Sequence, residues 1–380
     1  MPIESAVRLR APVEVEAGSP PMLAVARPRL PGADALLPYL REIDDARWYS
    51  NFGPLLVAFE RRLADRFRGD AKVVTGANAT QLLTLALKAM DLPRGSLCIV
   101  PAWTFVASAH AVIEAGLTPW FLDVDADSWM LDPEAVAQAI RSAPGPVTAV
   151  MPVAAFGAMP DLAAWQAFRD ATGVAVLIDG AAAFDACEDA RLPVVVSLHA
   201  TKVLGIGEGG YLASEDHDLI ARVRQLTSFG FDGGREALRP ATNAKISEYA
   251  AAVGQAALDA WPLSRLRWLR AAQLLRIALT SLPDVTFQPG WGAEWATSVC
   301  VVGLPDGMAG EVAESLKADG VDTRAWWGGG CHISPAFAAC PRETQPVTDH
   351  LARSTIGLPF AIDLTAEDCG RIAAALQRAL

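Results

Sequence analysis

Between residues 71 and 198 short apolar runs alternate with amphipathic segments, and this alternation constrains the fold more than any other feature of the chain. AKVVT, LCIVPA, PWFLDV, TAVMPVAAF, VAVLID and PVVVSL each read as strands. Between the earlier ones, NATQLLTLALKAMD, FVASAHAVIEAG, PEAVAQAIRSA and DLAAWQAFRDATG repeat apolar residues at helical spacing. Asn78 is placed to cap the first of these helices, Gly116 to end the second, and Pro133 sits at the first turn of the third. Such alternation makes βαβ crossovers, and strands apolar along their whole length belong in a parallel sheet covered on both faces. The expected fold is α/β, with a mostly parallel central sheet and helices on both faces.

The flanks differ. Residues 1–30 are rich in Pro and poorly periodic, and read as an N-terminal arm. Helices are expected over 31–48 and 54–69, opening a large domain that extends to residue 255. A long helical passage over 247–282, interrupted near Pro262, leads into a smaller α+β domain over 256–380. There TSVCVVGL and VDTRAWW read as strands, and GEVAESLKADG and TAEDCGRIAAALQRAL as helices.

The 380 residues are 52% hydrophobic and carry a formal charge of −11, which disfavours nucleic acid and anionic membrane surfaces as partners. The most apolar stretch, residues 97–122, is broken by Pro101, His110, Glu114 and Pro119, so no membrane span is expected. The first residues show no signal-peptide pattern. Six scattered cysteines without a CxxC, and five histidines without HExxH spacing, point to reduced thiols, a cytoplasmic protein and no metal site.

Ligands of open α/β sheets gather at the carboxyl ends of the strands. After AKVVT comes Gly76 to Thr80, which reads either as an ordinary capped turn or as a phosphate cradle at a helix N-terminus. Asp179 ends the strand VAVLID, where a carboxylate caps the next turn or meets a cation. After PVVVSL stand Ser197, His199, Thr201 and Lys202, followed by four glycines between Gly205 and Gly210. Lys202 is either a snorkelling surface lysine or a desolvated amine able to form a Schiff base. A phosphate turn, a strand-end acid and a strand-end lysine together match the needs of pyridoxal 5'-phosphate (PLP).

On these residues the chain resembles the DegT/StrS-type nucleotide-sugar aminotransferases, from about residue 48 to the C-terminus. RWYSNFGPLLVAFERRLA, PAWTFVASAHAVIEAGLTPWFLDVDADSWMLDP, SLHATKVLGIGEGGYL, NAKISEYAAAVGQAAL and the blocks TRAWWGGGCH and PAF carry the likeness, in family order. The resemblance implies the aspartate-aminotransferase fold (fold type I).

It further implies that Lys202 holds PLP as a Schiff base and shuttles protons, while Asp179 keeps the pyridine nitrogen protonated. Phe105 would stack on the ring. Ala79 and Thr80 would offer amides to the phosphate, Asn78 would shape the turn, and Ser197 would add a hydroxyl. Asn243 would reach the phosphate from the partner subunit of a homodimer. Ala182 stands where the family often has Gln or His beside the ring, and Ser228 where many members have Asn. Related sugar dehydratases replace the lysine by histidine, so Lys202 favours transamination. The implied reaction moves an amino group from an amino acid, L-glutamate in most of the family, to a nucleotide-linked keto sugar such as a 4-keto-6-deoxyhexose. A 3-keto sugar, another cyclic ketone and a non-catalytic regulatory protein are the alternatives. Trp326, His332, Tyr49 and Asn51 are the expected contacts to sugar or nucleotide.

Overall fold

The structure is a computed structural model, and it describes residues 21–380. The expected alternation is present. β1 (Lys72–Gly76), α3 (Ala79–Ala89), β2 (Leu97–Pro101), α4 (Val106–Glu114), β3 (Thr118–Leu122), α5 (Pro133–Ala139), β4 (Val147–Val150) and α6 (Leu162–Thr172) follow one another. They are preceded by α1 (Ala33–Ala46) and α2 (Pro54–Ala64), and followed by β5 (Ala175–Val176), β6 (Ile178–Asp179), β7 (Val194–Ser197) and β8 (Gly210–Ser214).

The strands form two ladders, β3-β2-β4-β5 and β1-β8-β7-β6. Only Leu177 separates β5 from β6, and its N–H donates to Val150 O at 3.1 Å, so the two ladders join into one layer. β8 alone runs against its neighbours in that layer. Alternate residues serve opposite faces. Val194 and Val196 of β7 enter one core with α2 and α6, whereas Val195 enters a second core with α3 and α4. Both faces are therefore dry, as continuous apolar strands require.

α7 (His217–Thr227) covers the second face and was not expected from the sequence. It is capped by Asp216, whose Oδ1 accepts from Leu219 N at 2.8 Å. α8 (Glu248–Leu279) then runs unbroken through Pro262 and through residue 255. The expected interruption is thus corrected. Pro262 is exposed, so the missing N–H costs a single bond on the solvent side while Trp261, Trp268 and Leu275 keep packing.

The C-terminal part holds an antiparallel sheet of β9 (Thr286–Phe287), β10 (Cys300–Gly303) and β11 (Thr355–Leu358), with α9 (Ala309–Ala318), α10 (Pro346–Ser354) and α11 (Ala366–Ala379). VDTRAWW is not a strand. It makes isolated bridges only, Val321 to Leu23 and Arg324 to Gly357, because the triple glycine after it turns the chain away from the sheet. Of the expected arm, residues 1–20 lie outside the described residues; Leu23 and Val25 are buried, and Leu23 lies beside Val321 of the C-terminal part.

Candidate active site

The Gly76–Thr80 turn is built as a helix start. Asn78 Oδ1 accepts from Gln81 N at 2.8 Å and caps α3. The first amides of a helix have no partner one turn back, so those of Ala79 and Thr80 are available to a ligand. Three strands meet at this point: Gly210 pairs with Gly76 on one side and with Ser197 on the other. A Cβ on Gly210 would lie 2.9 Å from Ala79 N and 3.0 Å from Val196 O. Glycine is what lets the N-terminus of α3 settle on the sheet beside Ser197. Ser197 is buried, and its Oγ accepts from His199 N at 3.2 Å, which leaves its own proton to donate. The candidate anion ligands, distant in sequence, are thus brought together.

Asp179 ends β6 and is only 5% exposed. Ser108 Oγ donates to its Oδ2 at 2.7 Å, and Ala181 N donates to its Oδ1 at 3.1 Å. Thr104 Oγ1 lies 3.0 Å from Ser108 Oγ and extends the chain of hydroxyls. Burial pushes the Asp179 carboxyl above its ordinary range, while these bonds and the nearby Lys202 charge oppose the rise. Ser108 was not singled out in the sequence. Its signal was a hydroxyl on the dry face of α4, three residues after Phe105.

Lys202 sits in the turn between β7 and β8, where its backbone N–H donates to His199 O at 2.9 Å. Among the described residues its ammonium makes no hydrogen bond and no ion pair. Desolvation holds its pKa below the usual lysine range, and the Asp179 charge pulls it back up. Asp179 lies beside Val195 of β7, the strand that leads to Lys202. Phe105, at the N-cap of α4 and close to Thr104 and Ser108, leaves 58% of its surface exposed, which is unusual for an aromatic ring. His199, left without a role by the sequence, has one in the turn: its Nδ1 pairs with Thr201 Oγ1 at 2.8 Å.

The remaining candidates divide. Ala182 follows the Asp179 turn, and its carbonyl lies 3.0 Å from where a Cβ on Gly157 would sit. Asn243 is exposed and pairs through its backbone with Ser228, while the next carbonyl, Ala244 O, accepts from Ala77 N at 2.7 Å. It therefore lies beside the turn that starts α3. Tyr49 stacks on Tyr249 with ring centroids 6.3 Å apart, and Asn51 has a left-handed φ of 61°; both lie at the start of α8. Trp326 is half-buried against Gly357 and under Arg324. The His332 ring is buried near Phe121 and Gly330, with Nδ1 unpartnered, so it packs inward. Trp327, not singled out in the sequence, stacks on Phe156 at 4.0 Å and meets Trp103 edge-on at 5.4 Å. Phe156 is itself in the left-handed region at φ 52°, next to Gly157 and so to Ala182.

This arrangement offers free amides at the start of α3, a buried carboxylate at the end of β6, a lysine in the β7–β8 turn and an exposed aromatic ring at the start of α4. The chain as a whole is similar to known proteins. GDP-perosamine synthase of Caulobacter vibrioides is 28% identical over 377 residues, covering 95% of this chain and 99% of that protein. DesI, solved with its TDP-sugar product, is 34% identical with a TM-score of 0.82, covering 94% of this chain and 92% of its own. DesV of S. venezuelae is 26% identical with a TM-score of 0.82, covering 93% and 99%. Residues 33–377 match the DegT/DnrJ/EryC1/StrS aminotransferase family, and the chain belongs to that family of enzymes.

Proposed function

We propose that this aminotransferase uses PLP to move an amino group from an amino acid, L-glutamate by family resemblance, to a nucleotide-linked keto sugar. A 4-keto-6-deoxyhexose is the favoured acceptor. Two relatives, GDP-perosamine synthase and DesI with its TDP-sugar product, support the nucleotide-sugar class. The observation that carries the reading is geometric: Asp179, buried at the end of β6, lies beside β7, whose end leads through Ser197 to Lys202, and the Lys202 ammonium has no hydrogen-bond or ion-pair partner among the described residues.

The residues present fit the cofactor. The orphan ammonium of Lys202, the buried Asp179, the exposed Phe105 and the free amides of Ala79 and Thr80 are each left incomplete by the protein alone. PLP, when bound, supplies an aldehyde that condenses with amines and a ring that accepts electrons. Asp179 would hold a proton on the ring nitrogen, and that positive charge would favour the ionised carboxylate despite burial. Ser108 would keep Asp179 in place. Desolvation favours the neutral amine of Lys202, which can then take and return a proton at the substrate carbon. Ser197, Ala79 and Thr80 would bind phosphate oxygens, with Asn78 shaping their turn, and Phe105 would shield one ring face from water. By family resemblance Asn243, which borders the α3 turn of its own chain, would donate to the phosphate held by the partner subunit of a homodimer. Ala182 would leave the ring edge without the polar contact that Gln or His provides in many relatives. Tyr49, Asn51 and Trp326 would lie toward the sugar nucleotide. Among the described residues, no helix is long and apolar enough to cross a membrane.

The test is a purified sample titrated with PLP, then with L-glutamate, then with a panel of keto nucleotide sugars read by mass spectrometry. A visible band that glutamate bleaches, and an amino sugar of the expected mass, are the expected results. A band that survives Lys202→Ala unchanged would defeat the Lys202 assignment. Bleaching with no product from any nucleotide sugar would defeat the acceptor class.

A further inference from the structure

The side-chain amide of Asn243 can point in two ways, and a neighbour decides which. Lys245 Nζ donates to Asn243 Oδ1 at 2.7 Å. An ammonium carries donors and no acceptor, so only the carbonyl end of the amide can face it. Both N–H bonds of Asn243 Nδ2 are then turned to the other side.

The surrounding contacts hold this choice. The Lys245 ammonium lies 4.7 Å from the centroid of the Phe229 ring, a cation–π contact that fixes its direction. Phe229 is anchored in turn, its N–H donating to Thr242 O at 2.9 Å. Ser228 pairs with Asn243, and Ala244 N donates to Thr227 O at 2.9 Å. With the backbone tied on both sides, rotation of the amide is the freedom that remains. Flipping it would set an NH2 group against an NH3+ group. Among the described residues Lys245 has no carboxylate partner, although burial already lowers its pKa. Its hydrogen bond to a neutral amide is therefore not explained by an ion pair.

We infer that Lys245 is a positioning residue: it orients the Asn243 amide so that Nδ2 donates to a phosphate oxygen of the cofactor. The inference rests on the reading above, in which Asn243 meets that phosphate. Lys245 acts through Asn243 and adds selectivity for the phosphorylated cofactor over its unphosphorylated form.

The full chain, stripped of cofactor, is titrated with PLP and separately with pyridoxal, which lacks the phosphate. Absorbance and tryptophan fluorescence give the affinities. Asn243→Ala and Lys245→Met should each weaken PLP by about tenfold, the scale of one lost hydrogen bond to an anion. Neither should change the affinity for pyridoxal, and the double variant should lose no more than either single one. Lys245→Arg, which keeps the donor, should retain most of the affinity and guards against a folding defect in the Met variant. Losses that multiply in the double variant would mean that Lys245 contacts the phosphate itself, and would overturn the positioning role. Equal loss for PLP and pyridoxal would mean a packing role and overturn it as well. Weak binding in Asn243→Ala with normal binding in Lys245→Met removes this inference alone. Normal PLP binding in Asn243→Ala removes the underlying reading and this inference together.

Discussion

Ser108 Oγ donates to Asp179 Oδ2 at 2.7 Å, which ties the dry face of α4 to the end of β6. The carboxylate is buried and its pKa is raised, and this hydrogen bond is the largest of the influences holding the rise down. Ser108→Ala should therefore raise the Asp179 pKa further. If the ionised form is the working one, the acid limb of the kcat/KM profile moves to higher pH, by about one unit. At pH 7 the loss is modest, and it grows as the pH falls. A pH–rate profile checks this; an unmoved acid limb would mean that Asp179 does not titrate in the working range.

Gly210 offers a separate test of how the anion site is assembled. A side chain there meets backbone, Ala79 N at 2.9 Å and Val196 O at 3.0 Å, and neither can swing away. Gly210→Ala should push the start of α3 off the sheet and cost about 1–3 kcal/mol of stability, as overpacking does. It should also weaken PLP more than pyridoxal, since the displaced amides are those proposed for the phosphate. Thermal melts together with the two affinities measure both effects.

Phe105 should show the opposite balance. More than half of it is exposed, at 58%, so little packing is lost on truncation. Phe105→Ala should change stability by less than about 0.5 kcal/mol, as surface changes do. It should nevertheless weaken cofactor binding, because the ring face it would cover becomes wet. A melt lowered by many degrees would instead make Phe105 a packing residue.

These cases show what the sequence could and could not convey. The strands were legible because two dry faces demand continuous apolar runs, and each run from AKVVT to PVVVSL lies at a strand of the sheet. Asp179 and Lys202 stand out in the sequence because a charge at the end of such a run is costly without a purpose. Ser108 was not, since a hydroxyl in an apolar helix gives no sign of which strand end it will face. The closeness of Gly210 to Ala79 depends on the β7–β8 hairpin folding back beside β1, a long-range pairing without a local signature. Pro262 misled in the other direction: an exposed proline in a helix packed along its length removes one bond and does not end it. His332, expected toward sugar or nucleotide, is buried with its ring near Phe121 and Gly330, a burial that a polar residue beside a glycine run does not announce.

The two central charges yield a last prediction, on the cofactor-free protein. Burial lowers the Lys202 pKa below 10.5 and raises that of Asp179 above 3.8, so the fold disfavours both charged forms while each eases the other. For a lysine with a lowered folded-state pKa, the unfolded chain binds the proton more tightly. Its cost is full below the folded pKa and fades as pH rises toward 10.5. For the aspartate the cost is full above its folded pKa and fades as pH falls toward 3.8. At neutral pH both costs are present. Replacing both charges, in Lys202→Met with Asp179→Asn, should raise the melting temperature of the cofactor-free protein by about 1–3 °C. Lys202→Met alone should gain less, because it strands the carboxylate without its opposite charge. The advantage of the double variant should shrink as pH rises from 7 toward 10. Melts across that range decide the matter, and a double variant that melts below the wild type at neutral pH would show that the pair stabilises the fold.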